Sequence, residues 1–309
     1  MPMNLGFFSA VLAQTVVPVA VVIAAGWVLG VRTRLDPAPL ATVGVRIFTP
    51  ALLLAHIPYE LAEAETLTAV LMAQSAIMLG LGWLLAHALG LRDRDSRTCL
   101  MMAVGLSNFG FLGLPLVTYA FGPDAESPAL LNMTLLNVPT GIVAAFLASP
   151  SPSLSAALRH TAREPLALTV LAVCLLGLAD VHLPEPLLRS TQLLGAGAVP
   201  LMLLVMGITM ARIPVADWFS LPVWLSSGAR LVLAPVALVL VAVVAGQQVQ
   251  QQPYAAALVQ LATPTGVTPL MFLAAQGRRA DLLVQAILVS MALSLLTLPL
   301  VIAYAQGAF

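Results

Sequence analysis

Two stretches of the sequence place helix-breaking residues beside polar ones in surroundings that are otherwise apolar. The first, "GLSNFGFLGLPLV" (105–117), lies within a run of 23 residues, Cys99 to Phe121, that contains no charged residue. The second is "TPTGVTPL" (263–270). A helix that is broken inside a membrane exposes N–H groups that favour an anion and carbonyl groups that can hold a cation. These residues therefore predict the binding of a small charged solute.

The side chains that we expect to contact such a solute surround the two breaks. The predicted contacts are Asn108, Phe109, Gly110, Thr263, Thr265 and Gly266, together with the polar residues Asn137 and Gln260 of neighbouring apolar segments. The residues expected to keep the helices broken are Gly113, Pro115, Pro264 and Pro269, because proline removes a helical hydrogen bond and glycine lets backbones approach closely. The alternative is that both segments are ordinary kinked helices and that Asn137 and Gln260 merely bond across helices.

The composition indicates whether these residues lie in water or in a membrane. The chain is 60% hydrophobic and only 8% charged, whereas a soluble domain carries about 25% charged residues. Many apolar runs reach the roughly 20 residues that cross a bilayer. The sequence therefore predicts an all-α polytopic membrane protein, and the N-terminus is interpreted as a retained first helix.

Hydropathy divides the chain into ten predicted spans. The first five are 7–30, 39–57, 66–90, 99–121 and 127–148, and the second five are 165–180, 189–210, 221–245, 253–276 and 282–305. The connection 149–164, "SPSPSLSAALRHTARE", is the longest and the richest in serine and proline. It is interpreted as a cytoplasmic linker between two halves, residues 1–148 and 165–309.

The arginines predict the orientation of these spans. Connections after spans 1, 3, 5, 7 and 9 hold ten arginines: Arg32, Arg34, Arg92, Arg94, Arg97, Arg159, Arg163, Arg212, Arg278 and Arg279. The opposite connections hold only Arg189. Since positive residues stay on the cytoplasmic side, both termini are expected outside.

Five spans in each half require the halves to lie in the membrane with opposite orientation. Weak internal similarity agrees with this, because Pro50 in "FTPALLL" recurs as Pro200 in "AVPLMLL" and the broken fourth span recurs as the ninth. Interrupted spans at corresponding positions of an inverted repeat are a sequence pointer to a transporter's binding site. We therefore expect the breaks in spans 4 and 9 to cross near the midplane.

Two arginines, Arg46 and Arg230, fall within spans 2 and 8. A charge at that depth is costly and is a functional candidate, so either side chain could attract an anionic substrate. The alternative is that each reaches the interface or binds carbonyls at helix ends, which we favour for Arg230 and leave open for Arg46. No Asp or Glu lies well inside a span, which weakens the case for ion coupling through a buried acid.

Both broken segments are similar to those of a known family. "SNFGFLGLPLVTYAFG" (107–122), "TPTGVTPLMFLAAQG" (263–277) and "SMALSLLTLPLVI" (290–302) resemble the auxin efflux carrier family, as do "RLVLAP" (230–235) and the proline of span 2. The family includes bacterial members and the plant PIN-type carriers. The resemblance extends along essentially the whole chain, although the long hydrophilic central loop of many plant members is missing. Where the family often has Asn-Pro at the start of span 6, this chain has Glu164-Pro165.

The resemblance implies a secondary transporter that moves a small organic anion, a carboxylate, by an elevator-like cycle. It implies scaffold and transport domains that are each built from both halves, and it maps the crossover asparagine onto Asn108 and the crossover prolines onto Pro115 and Pro264. The alternatives are a sodium-coupled symporter of the related bile-acid class and a membrane sensor that does not transport.

No enzyme motif, metal site or cofactor is expected, and no nucleic-acid partner. The expected location is a bacterial inner membrane. Coupling to H+ or Na+ and assembly as a homodimer are left open.

Overall fold

The computed structural model describes residues 5–56, 64–212 and 220–308, and its regular structure there is helical apart from one isolated β-bridge. The helices of the first half are α1 (Leu5–Val11), α2 (Val17–Arg32), α3 (Pro37–Val43), α4 (Thr49–Leu54), α5 (Ala64–Ala88), α6 (Arg94–Gly105), α7 (Gly113–Phe121) and α8 (Glu126–Ala148).

The second half continues the helical pattern. Its helices are α9 (Leu154–Thr161), α10 (Pro165–Leu178), α11 (Glu185–Gly195), α12 (Ala198–Ala211), α13 (Leu221–Gly228), α14 (Ala234–Val244), α15 (Tyr254–Leu261), α16 (Thr268–Ala275) and α17 (Asp281–Ala305). The all-helical prediction is therefore confirmed for the described residues.

Three spans contain a five-residue π-helical turn, each followed within two residues by a proline. The turns are Leu12–Val16, Gly44–Phe48 and Ala229–Leu233, and the prolines that follow are Pro18, Pro50 and Pro235. A proline has no N–H and its ring collides with the carbonyl four residues earlier. The wider turn relieves this conflict, so each span continues to the far side without a break.

By length and composition, seven described helices can cross a membrane, or eight if α9 and α10, which meet at 72°, count as one. The ten predicted spans are thus not all uninterrupted helices. Spans 4 and 9 are each divided into two short helices, α6 and α7, and α15 and α16. The end of span 2 at residue 57 lies outside the described residues.

The linker predicted at 149–164 contains the helix α9. Ser153 precedes α9 and its hydroxyl accepts a hydrogen bond from the Ala156 N–H (3.4 Å). Asp93 caps α6 in the same way, accepting from the N–H groups of Asp95 (3.1 Å) and Ser96 (2.8 Å). Hydrogen bonds from Ser96 hold the pKa of the Asp93 carboxyl below its ordinary value.

Packing divides the helices into two groups. The first helix group comprises α2–α4 and α10–α12, and α2 lies along α12. Gly26 of α2 and Gly207 of α12 permit this contact, because a Cβ on either would collide with the backbone of the other helix. The second helix group comprises α5–α8 and α13–α17, with both broken spans at its centre.

Candidate binding site at the helix crossing

The two broken spans cross at their breaks and are joined there by backbone hydrogen bonds. Ser107 and Thr265 form an antiparallel bridge. The Asn108 N–H donates to the Pro264 carbonyl, and the Gly266 N–H donates to the Leu106 carbonyl, both at 2.9 Å. Irregular backbone inside a membrane must find partners within the protein. Each break supplies the partners that the other lacks.

Two glycines let the crossing close. A Cβ at Gly266 would lie 2.9 Å from the Ser107 carbonyl oxygen, and one at Gly113 would lie 2.9 Å from Cγ of Gln260. Both distances are shorter than side chains tolerate. Any larger residue at these positions would push the two spans apart.

The three prolines of the broken spans differ in their position relative to the breaks. Pro115 is the third residue of α7 and Pro269 the second of α16, so both occupy a first helical turn where no N–H is needed. Pro264 lies in the break itself, and its carbonyl accepts the hydrogen bond from Asn108.

Side chains satisfy the carbonyls at the ends of α6 and α15, which are the groups a helix leaves unpaired. The Thr265 hydroxyl donates to the Ala103 carbonyl at 2.8 Å, and the Thr263 hydroxyl donates to the Gln260 carbonyl at 2.6 Å. Arg230 donates to the carbonyls of Val104 and Leu261. Both threonine hydroxyls are therefore engaged at helix ends.

Gln260 is fully buried and holds the crossing against α8. Its Nε2 donates to the carbonyls of Phe109 (3.2 Å) and Ala129 (3.0 Å), and its Oε1 accepts from Nδ2 of Asn132 (2.9 Å). Because an unsatisfied buried amide is costly, this network stabilises one position of the break relative to α8.

Asn108 contacts the other helix group. Its Nδ2 lies 3.3 Å from Sδ of Met206 on α12, and the side chain is buried. A thioether is a weak acceptor, so this bond holds the amide less firmly than a carbonyl would.

A cavity of about 410 Å³ begins at the crossing and runs along α8 and α16 towards the arginine-rich ends of the helices. It lies between the two helix groups, with the linker helix α9 at its far end. The first helix group contributes Thr42, Val45, Arg46, Glu164, Leu166 and Ala167, and α9 contributes Ala156, Ala157, His160 and Thr161. The second helix group contributes most of the remaining wall, including Leu106, Ser107, Phe109, Asn137, Val138, Thr140, Gly141, Ala144, Thr268, Pro269, Met271, Phe272 and Ala275.

Two buried polar atoms of the cavity wall have no hydrogen-bond partner among the described residues. They are Nδ2 of Asn137 and Oγ1 of Thr161. Buried polar groups are nearly always paired. Both atoms are closed to solvent in this conformation, so a ligand or water in the cavity could pair with them only after a rotation of the side chain.

The charged side chains of the cavity share a single carboxylate. Glu164 lies 3.6 Å from Nη2 of Arg46 and 3.9 Å from Nε2 of His160. Arg46 is half exposed, with 55% of its side chain accessible, and the N-terminus of α16 borders the same space. This wall can therefore hold a carboxylate, because it already holds that of Glu164.

A second cavity, of about 600 Å³, lies at the exposed ends of α6 and α17. Its lining includes Asp93, Asp95 and Asp281, with Arg279 beside them. The acidic side chains disfavour an anion, and the cavity does not reach the crossing. The cavity along α8 and α16 is the better candidate site.

Four of the residues predicted from the sequence line this cavity, namely Phe109, Asn137, Pro269 and Arg46. The others form the crossing behind it or support that crossing: Asn108, Gly110, Gly113, Pro115, Arg230, Gln260, Thr263, Pro264, Thr265 and Gly266. Their direct contact with substrate stays a prediction. Sequence reasoning missed Ser107, His160, Thr161 and Glu164, and the last three lay in what was interpreted as a linker.

Comparison with known protein families finds one match that covers most of the chain. A family model described as membrane transport protein matches residues 11–149 and 149–302, which together span nearly the whole chain. No curated protein matches the sequence.

Proposed function

The chain belongs to the membrane transport protein family, that of the auxin efflux carriers, and from this premise we propose that it carries a small organic anion by alternating access. The family comprises membrane transporters, and the long apolar helices make the chain an integral membrane protein. The observation that carries the proposal is the cavity at the helix crossing, whose wall leaves two buried polar atoms without partners.

A carboxylate with an apolar body suits this cavity. Arg46 supplies positive charge, the N-terminus of α16 supplies its dipole, and the Asn137 amide lies in the cavity wall with its Nδ2 unpaired. Phe109, Met271 and other apolar side chains supply a surface for the rest of the molecule. Glu164 holds Arg46 in the absence of substrate, and the substrate carboxylate replaces it.

The two helix groups provide the moving parts in this proposal. The first is a scaffold and the second a transport body that carries the crossing, as in an elevator cycle. Support comes from the position of the cavity between the groups. Support also comes from a cluster of buried apolar residues that both groups share, such as Val19, Leu53 and Leu116.

The topology in this proposal is ten spans in two inverted five-helix repeats, residues 1–148 and 165–309, joined by 149–164. The arginine bias puts both termini outside a bacterial inner membrane, so the cavity faces the cytoplasm. The division of spans 4 and 9 into half-helices that meet at one bridge supports an inverted repeat.

Ligand binding and flux test the proposal together. Purified protein is heated with a panel of mono- and dicarboxylates, in sodium and in choline salts, and liposomes containing it are tested for uptake of any acid that stabilises it. A ligand at one hundred times its dissociation constant adds about 2.7 kcal/mol of stability. We expect at least one carboxylate to raise the melting temperature and to be taken up.

Asn137→Leu should abolish this stabilisation, because the cavity wall then loses its unpaired amide. Thr134→Val is the matched control, since Thr134 lies one turn away on α8 and its hydroxyl bonds only to Leu130 of the same helix (2.9 Å). Stabilisation without uptake would favour the sensor, and uptake that requires sodium would favour the symporter. If no carboxylate stabilises the wild type, the anion proposal is wrong.

A further inference from the structure

Arg230 is the largest side chain that is completely buried in the described part of the chain. It belongs to the π-helical turn between α13 and α14. Its Nη1 donates to the Val104 carbonyl at 3.0 Å, and its Nη2 donates to the Leu261 carbonyl. Val104 is in the last turn of α6, and Leu261 ends α15. Arg230 thus binds the C-terminal ends of α6 and α15, the first half-helix of each broken span.

The charge of Arg230 has no carboxylate partner among the described ion pairs. A buried charge without compensation is strongly unfavourable. Each helix C-terminus carries about half a negative elementary charge, so two such ends together match one guanidinium. The convergence of α6 and α15 explains why an arginine is stable at this depth.

The two helix ends also need a positive charge between them. Two helix C-termini that meet inside a membrane repel one another and leave carbonyls that need donors. Broken-helix transporters commonly meet such carbonyls with a bound cation. Here the planar fork of Arg230 reaches one carbonyl on each helix, which suits the two-pronged geometry of guanidinium.

We propose that Arg230 is a positioning residue that acts as a tethered cation at the crossing. It holds α6 and α15 as one body, so that the cavity wall formed by Ser107, Phe109 and Thr268 keeps one geometry while substrate binds. It does not touch the substrate, since it lies behind the break and outside the cavity lining. The proposal rests on the proposed function for its effect on transport, but its effect on stability is independent of it.

Removal of the Arg230 guanidinium should therefore leave the ends of α6 and α15 in need of a free cation from solution. We expect Arg230→Ala to melt at a lower temperature and to lose at least tenfold in uptake. Guanidinium chloride at non-denaturing millimolar concentration should raise its melting temperature and restore part of the uptake. Choline chloride at equal ionic strength should do neither. Arg189→Ala is the control, because Arg189 is exposed on α11 and pairs only with Glu185 (2.7 Å).

Rescue of the melting temperature of Arg230→Ala, with no rise in that of the wild type or of Arg189→Ala, supports the proposal. Equal effects of guanidinium and choline on Arg230→Ala overturn it. The melting temperature is measured without substrate, so this result is independent of whether the protein transports carboxylates.

Arg230→Lys and Arg230→Gln keep the test decisive if the alanine variant does not fold. Both remove the planar guanidinium fork, but only lysine retains the positive charge. The proposal requires the lysine variant to exceed the glutamine variant in melting temperature and in maximal uptake rate, with KM nearly unchanged. Equal behaviour of the two variants would overturn it.

Discussion

Arg46 and Arg230 occupy the same local structure and have opposite surroundings. Each lies in a π-helical turn that is followed by a proline, within the similar sequences "GVRIFTP" and "GARLVLAP". Arg46 is half exposed in the cavity, where its partner is the side chain of Glu164. Arg230 is completely buried, and its partners are backbone carbonyls of two helix ends.

The difference lies in whether the partner can leave. A carboxylate on a side chain can rotate away and yield its place to a ligand, whereas the carbonyls at helix ends are fixed by the fold. Arg46 is therefore suited to recognise an anion and Arg230 to hold the site together. The local sequences are similar, so the neighbouring elements determine the role of each arginine.

The largest contrast between the two arginines should be in stability. Arg230→Ala leaves two buried carbonyls without donors, each worth about 1–3 kcal/mol, and we expect a loss of about 3–5 kcal/mol. Arg46→Ala removes a partly solvated ion pair worth about 0–1 kcal/mol. Unfolding of both variants in mixed micelles measures the two losses. Equal losses would show that burial does not separate the two roles.

The rigidity of the crossing around Arg230 can be tested at two glycines. Gly266→Ala brings a Cβ against the Ser107 carbonyl, and we expect a loss of about 1–3 kcal/mol, as for overpacked cores. Gly228→Ala, two residues before Arg230 on α13, meets nothing within 4 Å. It should be neutral or stabilising by up to about 1 kcal/mol, and micelle unfolding compares the two.

Arg46 should contribute mainly to ligand affinity. Arg46→Ala is expected to weaken carboxylate binding about tenfold, which corresponds to 1.4 kcal/mol, while Arg46→Lys should retain part of the affinity. Titration of the melting temperature with the acid gives both values. A loss of maximal uptake rate without a change in affinity would contradict this role.

The smallest expected effect is a gain in affinity for the carboxylate. Glu164→Gln removes the internal carboxylate that occupies Arg46 and His160, so a substrate carboxylate no longer has to displace it. We expect affinity to rise about twofold to fivefold, the range of a partly exposed ion pair, and the gain to shrink in high salt. Gln306 does not line the cavity and donates to the Ala120 carbonyl (2.6 Å), so Gln306→Ala provides a control titration.

The sequence indicated the breaks well and the direction of their side chains poorly. The predicted breaks, 105–117 and 263–270, contain or overlap the observed ones at 106–112 and 262–267. The glycines and prolines carry this signal because their backbone constraints are local. Whether Asn108 or Gln260 faces the cavity depends on helices about a hundred or more residues away, and no local pattern encodes that.

The linker 149–164 is a second region whose structure could not be predicted from the sequence. Its serines and prolines predict a loop, yet residues 154–161 form α9 and contribute His160 and Thr161 to the cavity. An eight-residue helix is too short for a clear periodic signal, and its position depends on packing against α8. Arg46 could be recognised as a candidate from its depth alone, whereas Glu164 could not be, because its pairing with Arg46 joins residues that are distant in sequence.

The bridge between Ser107 and Thr265 also has a consequence for how the protein is made. Its two residues are 158 positions apart (265 − 107). At a synthesis rate of about 5–20 residues per second, the first break waits roughly 8–30 s for the second to leave the ribosome. During that interval the backbone of residues 106–112 lacks the partners that lipid cannot provide. The groups of the first break that bond to Pro264 and Gly266 therefore pair only after the second break has been made, so the site is completed late in synthesis.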